Sequence, residues 1–417
     1  MKAHTRAPLF LALPAALALL GLASCRPTAV EELPREELFS LGIGKMDNQV
    51  DLFQLRGQGY AQKIGLYMRD GLFYVANSSA SKVMELSSYG DLIFLLYDPR
   101  SNPPPVSFST ESSDSLAATR KAVAYPLQRI GELGVDSAKR LYLEDTVGPE
   151  RQVTDRALGV LLSRVVLRFD RHGKLEDFIG QEGVGGTPFP YIESMYITGR
   201  DELVVVSRSP RAWLVYWYTP AGGLQHQLTV ETTSLPPLAE AAGSAGLRPA
   251  ATPSLGKLVP DLERRTLYAV LYYHDPQAPA DDPAQGYLTR IYRIDAQSGR
   301  YGEHIDVPAD SNRQTAAGSQ AGELLPPSYE LLGVNSRGEF FLLRREDTNL
   351  FRLLVLDRTG RPLARRNLVM EDSELYFKVL NLSAEGIIYA LLAEEYRVRI
   401  VWWRSDRLVK EEAREGG

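Results

Sequence analysis

Ten residues ahead of six recurrent strand segments stand Lys63, Gly131, Glu193, Lys257, Glu330 and Lys378, five of them charged. If the segments share an axis, those charges form a ring of mixed sign at the mouth of a central channel. Such a ring suits a zwitterionic or peptide ligand, or it neutralises itself. The plainer reading stands beside it: charged residues at strand ends are commonly solvated and keep a rim soluble. Four residues further along come Tyr67, Val135, Ile197, Asp261, Val334 and Leu382. They predict a mostly apolar throat in which Tyr67 and Asp261 are the polar candidates. Glu193, Asp261 and Glu330 would serve a hydrolase or dehydrogenase only if two or more converged in a closed pocket with displaced pKa values.

No other chemistry is as well placed. His172 falls in a turn, and His226, His274 and His304 fall in outer strands or loops, so no base accompanies a nucleophile. Asp281, Asp282 and Asp306 are placed in loops, but no Asp-x-Asp-x-Asp-Gly arrangement occurs, so no metal site and no cofactor is assigned. Trp213, Tyr216, Trp217 and Tyr218 read as packing between sheets.

The elements that must position these residues repeat. Residues 70–97, DGLFYVANSSASKVMELSSYGDLIFLLY, hold three strand patterns separated by a small polar loop and a Ser-Tyr-Gly-Asp turn. The segment FYVAN at 73–77 has kin at 141–143, 203–205, 267–269, 340–342 and 388–390. Its second position is Tyr74, Tyr142, Val204, Tyr268, Phe341 or Tyr389. Each is followed by an apolar or alternating strand, at 82–86, 165–169, 213–218, 291–294, 353–356 and 398–402. A turn then carries Gly90, Gly173, Gly222, Gly299 or Gly360, with Ser405-Asp406 at the sixth place. Recurrence of one unit at spacings of 48 to 73 residues marks a repeat architecture, so one ring replaces the two or three domains that length alone suggests.

These units resemble the NHL family of β-propeller repeats, whose pattern runs Asp-Gly, apolar, Tyr-Val-Ala-Asp, a gap, Arg-Val, and Asp-x-x-Gly. Asp70-Gly71 through Gly90 carry the best match, and the likeness covers about residues 60–408. The Gly-His and Trp-Asp of WD40 repeats are missing, and the double glycines of kelch do not recur from unit to unit. The resemblance implies an all-β fold, a six-bladed propeller of four-stranded antiparallel blades. The charged end of the chain makes a poor outer strand, whereas Leu38-Phe39-Ser40-Leu41-Gly42-Ile43 has the required character. We therefore expect an N-terminal strand to pair with the third strand of the sixth blade and close the ring. A seventh blade would have to hide in 98–128 or 231–256, both rich in Pro, Ser and Ala. Insertions at 98–128, 147–161, 231–256, 274–286 and 308–327 should form loops on the binding face.

The chain opens with Lys2 and Arg6 ahead of an apolar run at 8–22 that ends Leu22-Ala23-Ser24-Cys25, the pattern of an export signal. Those last four residues resemble the lipobox of bacterial lipoproteins. The resemblance implies removal of 1–24 and lipidation of Cys25, the only cysteine in 417 residues. Further divisions are a lipidated tether at 25–36, a propeller domain at 37–410 and a charged tail at 411–417. Net charge is −5 and falls further once Lys2 and Arg6 leave, which argues against nucleic acid as a partner. The expectation is a membrane-anchored module on the periplasmic face of the outer membrane or the cell surface. There it binds a protein partner of the envelope or a small ligand without catalysis. Arg26, where an Asp would resemble an inner-membrane retention signal, favours the outer membrane.

Overall fold

The structure, a computed structural model, describes residues 30–52, 63–108, 120–238, 251–275, 287–308 and 328–408. Residues 1–24, Cys25, Asp281, Asp282 and residues 411–417 lie outside the described residues, as do parts of the insertions. Six antiparallel sheets follow one another along the chain. Blade 1 comprises Ile64–Arg69, Leu72–Asn77, Lys82–Leu86 and Leu92–Tyr97. Blade 2 comprises Leu133–Val135, Leu141–Thr146, Arg164–Phe169 and Leu175–Gly180, and blade 3 Tyr191–Ile197, Leu203–Arg208, Ala212–Tyr218 and Leu224–Glu231. Blade 4 comprises Thr252–Pro260, Thr266–His274, Tyr287–Asp295 and Tyr301–Asp306, and blade 5 Glu330–Val334, Phe340–Asp347, Leu350–Leu356 and Pro362–Val369. Blade 6 supplies Phe377–Leu382, Ile388–Ala393 and Arg397–Trp403, and takes its outer strand from Arg35–Ile43.

The second and third strands of each blade are covered on both faces, which is why they read as near-continuous apolar runs. Six hydrophobic clusters result, one at each junction between neighbouring blades. The cluster joining blades 5 and 6 sets Phe341, Leu353 and Val355 against Ile388, Ala390 and Val401. The one joining blades 6 and 1 sets Leu391 and Ile400 against Leu66, Phe73 and Val75. Six junctions for six blades make a closed ring, the six-bladed β-propeller that the repeat predicts. Among the described residues of the segments that could have hidden a seventh blade, Lys121–Ala124 adds a parallel fifth strand to blade 1, and Thr252–Pro260 is the innermost strand of blade 4.

The closing strand pairs antiparallel with Arg397–Trp403, Phe39 opposite Ile400 and Leu41 opposite Val398. Ahead of it, Leu33 N donates to Asn367 O (2.8 Å) and Asn367 N to Glu31 O (2.9 Å), so residues 31–33 lie along blade 5 before the chain crosses to blade 6 at Arg35. An ion-pair cluster pins the junction. Arg35 meets both oxygens of Glu371 (2.5 and 2.9 Å), and Arg399 reaches Glu371 at 3.5 Å and Glu394 at 2.5 Å. The Arg35 hydrogen bonds hold the Glu371 carboxyl down at about 2. Its contribution is complete above the unfolded carboxyl value of about 4.3 and is lost as pH falls from there towards 2. The melting temperature of the protein should therefore drop across that window, and Glu371→Gln should lose less over the same range in thermal melts followed by circular dichroism.

Strands within a blade alternate in direction, which sorts the connections. Turns from first to second strand and from third to fourth lie on one face and are short. Asp170 accepts from His172 N (2.8 Å) and Lys174 N (2.9 Å) around Gly173 at φ 77°, and Asp357 repeats the device around Gly360 at φ 89°. The strands that flank the long connections 98–132, 147–163, 232–251, 275–286 and 307–329 all end or begin on the opposite face. That is also the face where the innermost strands start.

Candidate functional site

The innermost strands of all six blades line a central channel of about 550 Å³. Its middle is apolar, with Leu66, Leu133, Met195, Val259, Val334 and Val379, and its charges gather at the ends. At the long-loop face the organising residue is Lys63. Its Nζ donates to Ile192 O (2.6 Å) and Glu144 Oε2 (3.2 Å), reaches Glu132 Oε1 at 3.3 Å, and stands 4.6 Å from the centre of the Tyr191 ring. Blade 1 thus reaches past blade 2 to blade 3. Burial alone would lower the Lys63 pKa, but Glu144 and Glu132 outweigh it and hold the ammonium above its ordinary value. Burial raises Glu132, Lys63 opposes that rise, and Glu144 and Glu193 add to it. Glu132 is 33% open yet ringed by protein, as expected of a group in the lumen.

Glu144 is buried on the second strand of blade 2. Besides Lys63 it accepts from Glu132 N (2.9 Å) and faces Arg164 at 3.5 Å. A Cβ at Gly131 would stand 2.1 Å from its Oε2, so the missing side chain there is what admits the carboxylate. The next residue, Asp145, accepts from the backbone of Arg129 (2.7 Å), Gln128 (3.1 Å) and Thr146 (2.7 Å), fixing the loop that delivers Gly131 and Glu132. Burial pushes Asp145 up to about 6 against those donors.

Across the mouth, Lys257 Nζ donates to Leu331 O (3.1 Å) and Leu332 O (2.8 Å) of blade 5. Burial brings its pKa down to about 8, although Glu330, Glu132 and Glu193 act in the other direction. Glu193 occupies a β-bulge, where the register steps from Ile192 opposite Ser207 to Ser194 opposite Val206. A bulge re-aims a side chain, and this one lines the lumen with an ion pair to Arg208 at 3.5 Å. Tyr67 also lines the channel, its hydroxyl donating to Val135 O at 3.4 Å.

The remaining predicted positions fall elsewhere. Lys378 points away from the lumen, bonded to Asp372 with its ammonium 4.9 Å from the Phe351 ring, while its neighbours Phe377 and Val379 face the channel. Asp261 is no throat residue. It is fully buried, accepts from Tyr268 OH (2.8 Å), Glu263 N (2.9 Å) and Arg264 N (3.0 Å), and shapes the turn that follows the innermost strand. Glu330 is exposed beside the mouth and does not line the cavity. Glu193, Asp261 and Glu330 therefore do not converge. Asp306 is the end of a strand, not a loop, and pairs with Arg290 at 2.5 Å. His172, His226, His274 and His304 are not among the channel-lining residues. No group of three or more metal-ligating side chains occurs among the described residues. Trp213, Tyr216, Trp217 and Tyr218 are buried between blades, as expected.

A fixed count of ten fails for geometric reasons. Blade 1 turns through Asp70 and Gly71 alone, whereas residues 198–202 make the turn in blade 3 and 261–265 in blade 4, and the innermost strands of blades 3, 4 and 5 carry bulges. Equal offsets therefore land at different heights and on different faces. Glu144 did carry a signal. It stands three residues into a strand where the other blades have Ala76, Val206, Val270, Leu343 and Leu391, and a carboxylate in a strand covered on both faces is the informative exception.

No family model and no curated protein matches this chain. Solved structures similar to it include a gluconolactonase from Xanthomonas campestris, at 10% identity and TM-score 0.38, over 89% of this chain and 97% of that one. Regucalcin, a calcium-binding protein from Agrobacterium tumefaciens, is similar at 10% identity and TM-score 0.35, over 81% and 88%. A streptogramin B lyase is similar at 11% identity and TM-score 0.34, over 82% and 92%. At these values the six-bladed assignment stands on the sheet order and the six interblade clusters of this chain.

Proposed function

We propose that the protein is a binding module of the bacterial cell envelope, an NHL-like propeller held to the membrane by acyl chains on Cys25. It engages a protein partner or small ligand at the channel mouth and performs no catalysis. The observation that supports this most is a coincidence of position. The face on which the strands flanking every long connection end or begin is the face at which Lys63, Glu132, Glu193 and Lys257 line the channel, and insertions in repeat folds commonly build the binding face. Glu193, Asp261 and Glu330, the carboxylates the sequence offers for hydrolase or dehydrogenase chemistry, are spread over the lumen, the core and the rim and do not form one site. The anchor follows from the Leu-Ala-Ser-Cys sequence and lone cysteine; several acyl chains, each methylene adding about 0.8 kcal/mol, hold a protein on a bilayer.

A photo-crosslinking residue placed at Glu330, on the long-loop face, should capture an envelope partner in intact cells, and one placed at Tyr89, in an exposed short turn of the opposite face, should not. Capture from Tyr89 alone would refute the assignment of the face. Labelled palmitate should enter the wild-type protein and not Cys25→Ser, which should leave the membrane fraction. Undiminished label in Cys25→Ser would refute the anchor.

A further inference from the structure

Lys257 differs from the other cations of the channel. Lys63 has two carboxylates within 3.3 Å and Arg69 has Asp201 at 3.5 Å. Among the described residues no carboxylate lies within ion-pair distance of Lys257, whose ammonium bonds only to two carbonyls. An ammonium has three donors, so one remains for the lumen. Enclosing a cation without a counter-ion is costly, and an arriving anion removes that cost. On the same lumen the Glu193 side chain is one-third exposed and its Oε2 faces Arg208 at 3.5 Å, which leaves the other carboxylate oxygen for an amide N–H arriving alongside that anion.

The channel also has a neighbour. A groove of about 460 Å³, lined by Val160, Leu161, Pro190, Arg208, Ser209 and Pro210, shares Tyr191 with it. Leu161 is 51% exposed and Tyr191 41%. Leu161 stands on a hairpin, Val153–Asp155 with Val160–Leu162, inserted into blade 2 at the long-loop face. The groove and the lumen thus adjoin at Tyr191, and the lumen holds an ammonium with no carboxylate in ion-pair contact among the described residues.

Building on the channel-mouth reading above, we propose that the ligand is the free C-terminal end of a peptide. Lys257 takes the terminal carboxylate, Glu193 accepts a backbone N–H, and the preceding apolar side chains lie in the groove between Leu161 and Pro210. The third donor of Lys257, which meets no carboxylate among the described residues, selects a carboxylate, and the wall that groove and channel share at Tyr191 selects a chain over a compact acid. Lys257 also sets the pH response. Glu330 and Glu132, with Glu193, act on it from blades 5, 2 and 3, Lys63 and Tyr196 share the lumen, and Tyr272 stands on the next strand of its own blade. With the ammonium losing its proton near pH 8 in the free protein, binding should weaken as pH rises from 7 to 9.

The test uses the full chain in detergent micelles and fluorescein-labelled Gly-Gly-Xaa-Xaa tetrapeptide pools, prepared as free acids and as C-terminal amides, followed by fluorescence anisotropy. Free acids should bind at least tenfold more tightly than amides. Lys257→Met should abolish that preference, Leu161→Glu should weaken both pools, and Lys378→Met should change neither. Acids and amides binding equally would overturn the carboxylate assignment while leaving the channel mouth as the binding site. Leucine or glucuronate competing as well as the acid pool would overturn the peptide. No binding by either pool would overturn the whole proposal, and crosslinking from Glu330 would then show whether the mouth reading survives.

Discussion

Phe39→Ala should lower the unfolding free energy by about 3–5 kcal/mol, the cost of deleting a buried phenylalanine, measured by urea denaturation at pH 7. Phe39 is inserted where the ring closes: its ring centroid lies 5.7 Å from that of Phe73 at 79°, Phe73 in turn lies 6.3 Å from Tyr389, and a Cβ at Gly90 would come within 2.9 Å of it. One side chain therefore joins the outer strand of blade 6 to blade 1. Truncating it also weakens a strand whose loss would leave Arg397–Trp403 as an unpaired apolar edge, so aggregation should accompany unfolding. The urea transition of the variant should stay single if the ring unfolds as one unit. A second transition would show blades 1 and 6 separating first. A loss under 1 kcal/mol would mean that the seam is held by backbone pairing and by Arg35, Glu371 and Arg399.

That seam was legible in the sequence because it follows from two strong rules. A ring of sheets tolerates no open edge, and the segment at 38–43 alternates as an outer strand must. The blades were legible for the same reason, since the recurrence of Tyr74, Tyr142, Tyr268, Phe341 and Tyr389 registers a burial demand that every blade shares. The channel was not read as well. Lys63, Glu193, Lys257 and Tyr67 do line it, but Glu132 and Tyr191 lie off the repeat count, and Lys378 and Asp261 lie on it and serve other ends. Lumen-facing side chains are set by turn length and bulges, which the average repeat does not encode. Asp261 shows the ambiguity in one residue, because a carboxylate closing a turn and a carboxylate lining a pore look alike until the turn length is known.

Glu144→Gln should destabilise the protein by about 3 kcal/mol, towards the lower end for breaking a buried charge pair, because it keeps the shape of the side chain and removes the charge on which Lys63 and Arg164 depend. The loss should fall short of the full penalty, since Glu132 remains 3.3 Å from Lys63. The pairing of Lys63 with Glu144 is tested by the double variant. If the penalty is mainly an uncompensated ammonium, Lys63→Met combined with Glu144→Gln should recover much of the stability lost in Glu144→Gln alone, with a coupling of about 1–3 kcal/mol by double-mutant cycle. Additive losses would mean that Glu144 acts chiefly through Glu132 N and Arg164 and that Lys63 is held by Ile192 O. Gly131→Ala approaches the same cluster from the other side. Its new methyl would displace the Glu144 carboxylate without changing any charge, so it should release Lys63 from blade 2 and loosen the mouth while the interblade cores stay intact. Hydrogen exchange should then rise at residues 130–133 and 191–194 and remain unchanged at 388–393.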